Sequence, residues 1–288
     1  MGDTKIAWCD KVWNPVSGCT KCATGCKNCY AERYSRRNLA GWKGRDFSDV
    51  RCHPERLEQP SHWRAASRIF VNSMGDLFHE DVPAPFTHHV YDMMGVCPQH
   101  TFIVLTKRAH RIEPTLYGAN GDYYMGGGDY LPNVWLGVSA STQADLDLQV
   151  PPLLGCPAAV RVVSLEPLLG AVDLTRYLYA TGASISTWRY PSGRIERCSG
   201  IGGQMICSKP ANEIGLVIVG CESGPHRRPF ELDWARSIRD QCEAARVPIF
   251  LKQLIVNGKV SHEPSEWPVD LQGLQNFPKV VTPARERE

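Results

Sequence analysis

The sequence predicts an α/β protein: a parallel (β/α) barrel of TIM type, complete or short of closure, with six to eight strands. Two observations carry this. Apolar runs recur as Ile69-Phe70-Val71, Phe102-Ile103-Val104-Leu105, Val134-Trp135-Leu136, residues 160–163, residues 216–219 and Ile249-Phe250-Leu251. They are unbroken where a half-exposed strand would alternate, and strands covered on both faces are those of a parallel sheet. Most successive runs begin about thirty residues apart, the length of one strand–helix–strand unit. The second observation is that each run ends in polar residues: Asn72-Ser73, Thr106-Lys107-Arg108, Ser139, Ser164 and Glu166, Glu222-Ser223, and Lys252-Gln253. In a parallel barrel the C-terminal strand ends surround the active site. One polar exit is ordinary for any strand leaving a core; so many make a shared site the better reading.

Composition narrows the rest. A chain of 288 residues, 43% hydrophobic and 22% charged, has the make-up of an ordinary globular protein. That length suits one large domain or two smaller ones. The recurrence favours one, over residues 1–256, followed by a tail over 257–288. No apolar run approaches a membrane span and the N-terminus lacks a signal-peptide core, so the expectation is a cytoplasmic protein with no membrane partner. Twelve cysteines in a chain this long do not fit a small disulfide scaffold, and reduced thiols with a metal site fit better. The net charge of +2 neither requires nor excludes a nucleic-acid partner.

Along the chain, Ile6-Ala7-Trp8 and Val12-Trp13 offer short extended segments, and Asn14-Pro15 a turn. Residues 30–39 read as a helix starting directly after Cys29, with Tyr30 and Tyr34 one turn apart. Its positive N-terminal end would face an anionic thiolate centre. Residues 40–66 are polar, carry proline and lack periodicity, which predicts irregular surface. The clearest later helix is 232–246, where Trp234, Ile238, Cys242 and Ala245 share a face and Asp233 is the expected N-cap. The interval between residues 163 and 216 is too long for one unit. Its excess, about 180–212, is rich in Gly and Ser and carries Trp188, Arg189, Tyr190, Arg194, Arg197, Cys198 and Cys207. It reads as an inserted loop or hairpin near the barrel mouth, either a substrate lid or surface decoration. Residues 118–130, with Gly126-Gly127-Gly128 among tyrosines, lack the strand and helix flanks of a phosphate loop and read as a connector. The Pro-rich, charged tail after Asn257 is expected to pack loosely, and His79, His88 and His89 to be ordinary surface or helix residues.

Chemistry concentrates in residues 18–31, a glycine-punctuated loop bearing Cys19, Cys22, Cys26 and Cys29. Thiolates this crowded suit a soft metal. Four could close a tetrahedral zinc site. Three could hold three irons of a four-iron cluster and leave the fourth open to a ligand. A zinc knuckle normally brings a second close pair from a distance, and Cys198 and Cys207 lie far apart. Spacing therefore favours the cluster. Cys22, Cys26 and Cys29 form C-x3-C-x2-C, which resembles the signature of radical S-adenosylmethionine enzymes.

The order of motifs along the chain resembles one family, the phage- and bacterium-encoded three-cysteine-motif proteins of radical-SAM type. The resemblance is carried by Trp13-Asn14-Pro15-Val16-Ser17-Gly18-Cys19, Gly25-Cys26-Lys27-Asn28-Cys29-Tyr30-Ala31 and Val71-Asn72-Ser73-Met74-Gly75-Asp76-Leu77-Phe78. It continues through Val104-Leu105-Thr106-Lys107-Arg108, Asn133-Val134-Trp135-Leu136-Gly137-Val138-Ser139 and Ser164-Leu165-Glu166-Pro167-Leu168-Leu169. Val217-Ile218-Val219-Gly220-Cys221-Glu222-Ser223-Gly224 and Phe250-Leu251-Lys252-Gln253 complete it. The family's three cysteines fall on Cys19, Cys26 and Cys29, whereas the general spacing selects Cys22 in place of Cys19. Cys22 and Cys221 both depart from the family pattern.

The resemblance implies a [4Fe-4S] cluster and S-adenosyl-L-methionine as cofactors, with reductive cleavage of the sulfonium giving a 5′-deoxyadenosyl radical that abstracts a substrate hydrogen. It implies a reductant protein such as flavodoxin or ferredoxin, and a nucleic-acid base or nucleotide as substrate, as in phage DNA hypermodification. Rearrangement of a small molecule or peptide, or a non-catalytic zinc-stapled binding module, are the alternatives. Cofactor contacts are expected from Asn72, Ser73, Met74, Gly75 and Asp76, with Asp76 opposing the methionine ammonium group. Ser139 is expected beside them, Ser164 and Glu166 near the ribose, and Glu222 and Ser223 near adenosine or substrate. Lys107, Arg108 and Lys252 suit carboxylate or phosphate, with Lys107 and Lys252 counted as catalytic. Cys221 either packs in the barrel or donates a hydrogen atom to a substrate radical.

Overall fold

The computed structural model describes residues 4–37, 41–116, 130–178 and 214–278, and the backbone of the strands Thr187–Arg189 and Ile195–Arg197. Its centre is a sheet of eight strands whose spatial order follows the chain. They are β1 (Lys11–Trp13), β2 (Arg68–Val71), β3 (Thr101–Thr106), β4 (Val134–Ser139), β5 (Val160–Leu165), β6 (Ile214–Gly220), β7 (Ile249–Val256) and β8 (Lys259–Ser261). From β1 to β7 each strand is parallel to the next, and β8 returns antiparallel to β7. Successive βα units laid side by side produce this order. The expected mixed α/β class and parallel sheet are therefore observed, and every apolar run singled out in the sequence is a strand.

The central runs of the strands are apolar because both faces are covered. The helices are α1 (Tyr30–Ser35), α2 (Ala84–Val96), α3 (Ile112–Leu116), α4 (Gln143–Leu154), α5 (Thr175–Leu178) and α6 (Leu232–Ala245). Val71, Val104, Leu136, Val163, Val217 and Leu251 share one core with Val90 and Met94 of α2, Leu146 and Val150 of α4, and Ile238 of α6. The alternate residues Ile103, Trp135, Val162, Ile218 and Phe250 join Trp8 in a second core on the opposite face, with Phe70, Leu105 and Phe277 packed against it. Each such side chain contributes about 1.5–3 kcal/mol when buried. A one-residue slip would exchange the two faces, so the register is firmly set.

Local chemistry sets the helix ends. Thr142 caps α4, its hydroxyl accepting from the Asp145 backbone N–H at 3.2 Å. For α6 the N-cap position falls on Glu231, which makes no side-chain cap bond. Asp233 instead lies in the first turn and pairs with Arg236 at 2.9 Å, which corrects the expected cap. The helix ends as Arg246 turns left-handed, at φ 57°. The helix expected over residues 30–39 is shorter than that, ending at Ser35 with Cys29 as its N-cap.

Two expectations about surface are corrected. Residues 41–66 buttress the first loop: Arg51–Cys52 pairs antiparallel with Val16–Ser17, and Trp13 Nε1 donates to Arg56 O at 2.8 Å. The tail after residue 257 is packed as far as it is described, because Trp267 and Leu271 are buried and Gln275 bridges to Phe250. The insert expected over 180–212 contains an antiparallel hairpin, Thr187–Arg189 with Ile195–Arg197. Its side chains, Cys198 and Cys207 included, lie outside the described residues, as does most of the connector at 118–130.

Candidate functional site

From Trp13 the chain runs over the C-terminal ends of the parallel strands, and the segments after β2, β3, β4 and β6 hold it there. After β2, Asn14 Oδ1 accepts from Met74 N at 2.9 Å and Ser73 Oγ at 3.2 Å, and Asn72 Oδ1 accepts from Val16 N at 3.1 Å. Gly18 N donates to Met74 O at 2.9 Å, and the Tyr30 hydroxyl donates to Ser73 O. After β3, Arg108 Nη2 donates to Thr20 O at 3.0 Å and Thr20 Oγ1 at 2.9 Å, while Cys22 Sγ lies 3.8 Å from Lys107 O. After β4, Asp145 Oδ1 accepts from Thr24 Oγ1 at 3.3 Å. After β6, Asn28 Nδ2 donates to Glu222 Oε2 at 3.0 Å and His226 O at 2.8 Å, and Arg228 Nη1 donates to Thr24 O at 3.0 Å.

Two glycines in the loop permit this closeness. Gly18 has φ +93°, and a Cβ there would stand 2.4 Å from Asp49 O. A Cβ on Gly25 would stand 2.4 Å from Ser141 Oγ and 3.4 Å from Pro167, which follows β5. A side chain at Gly25 would lift the loop off the strand ends, and one at Gly18 would both strain the backbone and collide with the Phe47–Asp49 segment.

Several expected cofactor residues turn out to organise the mouth. Asp76, 5% exposed, accepts from Thr106 Oγ1 at 2.8 and 3.0 Å, Phe78 N at 3.0 Å and Lys107 N at 3.2 Å. Arg108 Nη1 stands 3.5 Å from the same carboxylate. The Asp76 carboxylate is thus engaged by partners from the turn after β2 and the end of β3. Glu222 is likewise occupied, with Arg228 Nη2 at 2.6 Å and Arg228 N at 2.8 Å. Burial pushes its pKa up, but the Arg228 and Asn28 bonds outweigh that and hold it below the usual carboxylate value. Ser223 O accepts from Arg33, and Ser139 Oγ from its own side donates to Glu166 O at 3.3 Å. Ser164 is buried on β5.

Lys252, within β7, forms an ion pair with Glu166, which directly follows β5. Cys221 is buried beside them, and its thiol is pushed up to about 12 by burial and the Glu166 charge. These three are brought together; Asp76 and Lys107 form a separate group with Arg108 under the cysteines.

The thiols are not equivalent. A hydrogen bond from Cys22 holds Cys26 down to about 5, with Lys107 adding to the shift against the cost of burial. Cys22 is correspondingly raised. Cys19 is pushed up to about 12 by burial and the Asp76 charge, although Arg108 Nη1 lies 3.5 Å from its sulfur. In the metal-free chain Cys26 is therefore expected to react with iodoacetamide at about pH 6 and to lose reactivity only as pH falls through about 5. Peptide mapping after alkylation checks this; a Cys26 that reacts only above about pH 8 would contradict it.

Sequence reasoning missed the residues that seat the loop: Asn14, Asn28, Tyr30, Arg228 and His79. His79 is no ordinary surface residue, since it is 2% exposed and its Nε2 lies 2.8 Å from Thr20 Oγ1. Its position three residues after Asp76, in the segment that leaves β2, is the signal that could have found it.

The donor set suits a thiolate-bound centre. All four loop cysteines are free, and the cationic Arg108 and Lys107 flank them. Two buried polar atoms at the strand ends, Asn72 Nδ2 and Ser141 Oγ, have no hydrogen-bond partner among the described residues. Such atoms carry about 1–3 kcal/mol of desolvation cost until a partner meets them. Among the described residues no three His, Cys, Asp or Glu side chains gather closely enough to hold a metal ion. A cluster attaches each thiolate to a different iron, so it asks for wider spacing than a single ion.

Fold and site together define an α/β protein with a thiol-rich loop held over the C-terminal ends of a parallel sheet. The chain belongs to the family described as Protein of unknown function (DUF5131), which it matches over residues 3–269. No curated protein and no solved structure matches it. Among the described residues no helix is long and apolar enough to cross a membrane.

Proposed function

We propose that this chain is a radical S-adenosylmethionine enzyme whose [4Fe-4S] cluster is held by Cys19, Cys26 and Cys29. The observation that carries the reading is the seating of the cysteine loop over the strand ends by segments following four different strands. The resemblance of the loop and strand-end motifs to the three-cysteine-motif family supports it independently.

The same reading takes the sheet as a curved, incomplete (β/α) barrel. One ring supports this: Phe277 packs 5.0 Å from Phe250 of β7, 6.3 Å from Trp135 of β4, and 3.9 Å from the Arg68 guanidinium at the start of β2. In a flat sheet β2 and β7 would stand roughly 24 Å apart, at about 4.8 Å per strand. Around one phenyl ring, contacts from both strands favour a sheet that curls.

When bound, the cofactors supply one-electron reduction and a carbon radical. The protein's own residues then divide the work. Asp76, Glu222, Arg228 and Asn28 hold the loop in place. Lys252 and Glu166 offer a cation and an anion to a polar ligand in the mouth, and Ser164 lines its wall. Cys221, kept as a neutral thiol by burial, packs in the core that the sheet shares with the helices, which supports the packing alternative over hydrogen-atom donation. The substrate class, a nucleic-acid base or nucleotide, rests on family context and on the basic and aromatic residues of the 180–212 insert.

The experiment is anaerobic reconstitution followed by iron, sulfide and zinc analysis. The expected result is about four irons and four sulfides per chain. Stoichiometric zinc without labile sulfide would replace this reading by a zinc-stapled module.

A further inference from the structure

We infer that Arg108 is a positioning and tuning residue for the iron–sulfur centre, donating to the Cys19 sulfur and holding the reduction potential up. This rests on the function proposed above. Arg108 Nη1 lies 3.5 Å from Cys19 Sγ. The remainder of the guanidinium is fixed by Glu80 at 2.9 Å, Thr20 O at 3.0 Å and Thr20 Oγ1 at 2.9 Å, with Asp76 at 3.5 Å. Partners on every edge leave the fork one orientation. The side chain is 2% exposed, so salt does not screen its charge as it would a surface cation.

The consequence is electrostatic. Reduction adds one electron, delivered by a low-potential one-electron donor of the flavodoxin or ferredoxin class. No bond is made or broken and no proton moves in that transfer. A fixed cation and an N–H donor at a ligating sulfur stabilise the more negative, reduced form. Removing Arg108 also leaves the Asp76 carboxylate unopposed near Cys19, which acts in the same direction. Cys26 has a different cation: Lys107 acts on it through charge, with no N–H contact to its sulfur among the described hydrogen bonds.

The test is an electron-paramagnetic-resonance redox titration of the reconstituted holoprotein and two variants. Arg108→Gln is expected to keep its iron and shift the midpoint downward by at least a tenfold change in the reduction equilibrium, about 59 mV for one electron. Arg108→Lys should shift less, in the same direction. Because a buried arginine is replaced, a measurement on the unaltered protein stands beside these: 15N-arginine labelling with pulsed resonance. It should reveal a nitrogen coupled to the reduced centre. An unchanged midpoint in iron-replete Arg108→Gln overturns this inference alone, as does the absence of arginine coupling in the unaltered protein. An unaltered protein that takes up no iron and sulfide overturns both the inference and the function beneath it. A variant that fails to take up iron leaves the decision to the labelling.

Discussion

Asp76→Ala is expected to cost about 3–5 kcal/mol of folding stability, the loss typical when one partner of a buried ion pair is removed. The carboxylate joins the turn after β2 to the end of β3 through Thr106, Lys107 N and Arg108. Without it the guanidinium of Arg108 keeps, among the described residues, only the half-exposed Glu80 as a carboxylate partner. Asp76→Asn retains an oxygen for Thr106 and should lose less. Denaturant unfolding of the metal-free proteins measures both. A loss below about 1 kcal/mol for the alanine variant would fit a surface role better than a buried hub.

The second large effect separates two ligand sets. After anaerobic reconstitution, Cys19→Ala should lose most of its iron while Cys22→Ala retains about four per chain. Family resemblance selects Cys19, and the structure adds that Arg108 reaches its sulfur. Cys22 is exposed and turns its thiol toward Lys107 O. The reverse pattern of iron retention would assign the cluster to the general C-x3-C-x2-C spacing.

Much of this architecture is legible in the sequence because strand burial writes itself as unbroken apolar runs, and each such run is a strand of the parallel sheet. The polar exits are legible for the same reason: a strand leaving a core must become polar. What those polar groups do is not. Asp76 and Glu222 look alike in sequence to a residue waiting for a ligand, yet both are committed to arginines, one from the next strand end and one six residues downstream. Their partners depend on which loops the fold brings together, and no local pattern encodes that. The tail misled for a related reason: its proline and charge read as loose surface, while Trp267, Leu271 and Phe277 use the few apolar positions to pack on the sheet.

The account stands most directly on one measurement: incubating the reconstituted protein anaerobically with S-adenosylmethionine and a low-potential reductant, and following 5′-deoxyadenosine by chromatography. The predicted result is 5′-deoxyadenosine and methionine in equal amounts, lost in Cys26→Ala and Cys29→Ala. An iron- and sulfide-replete protein that is reduced, yet leaves S-adenosylmethionine intact, would contradict it.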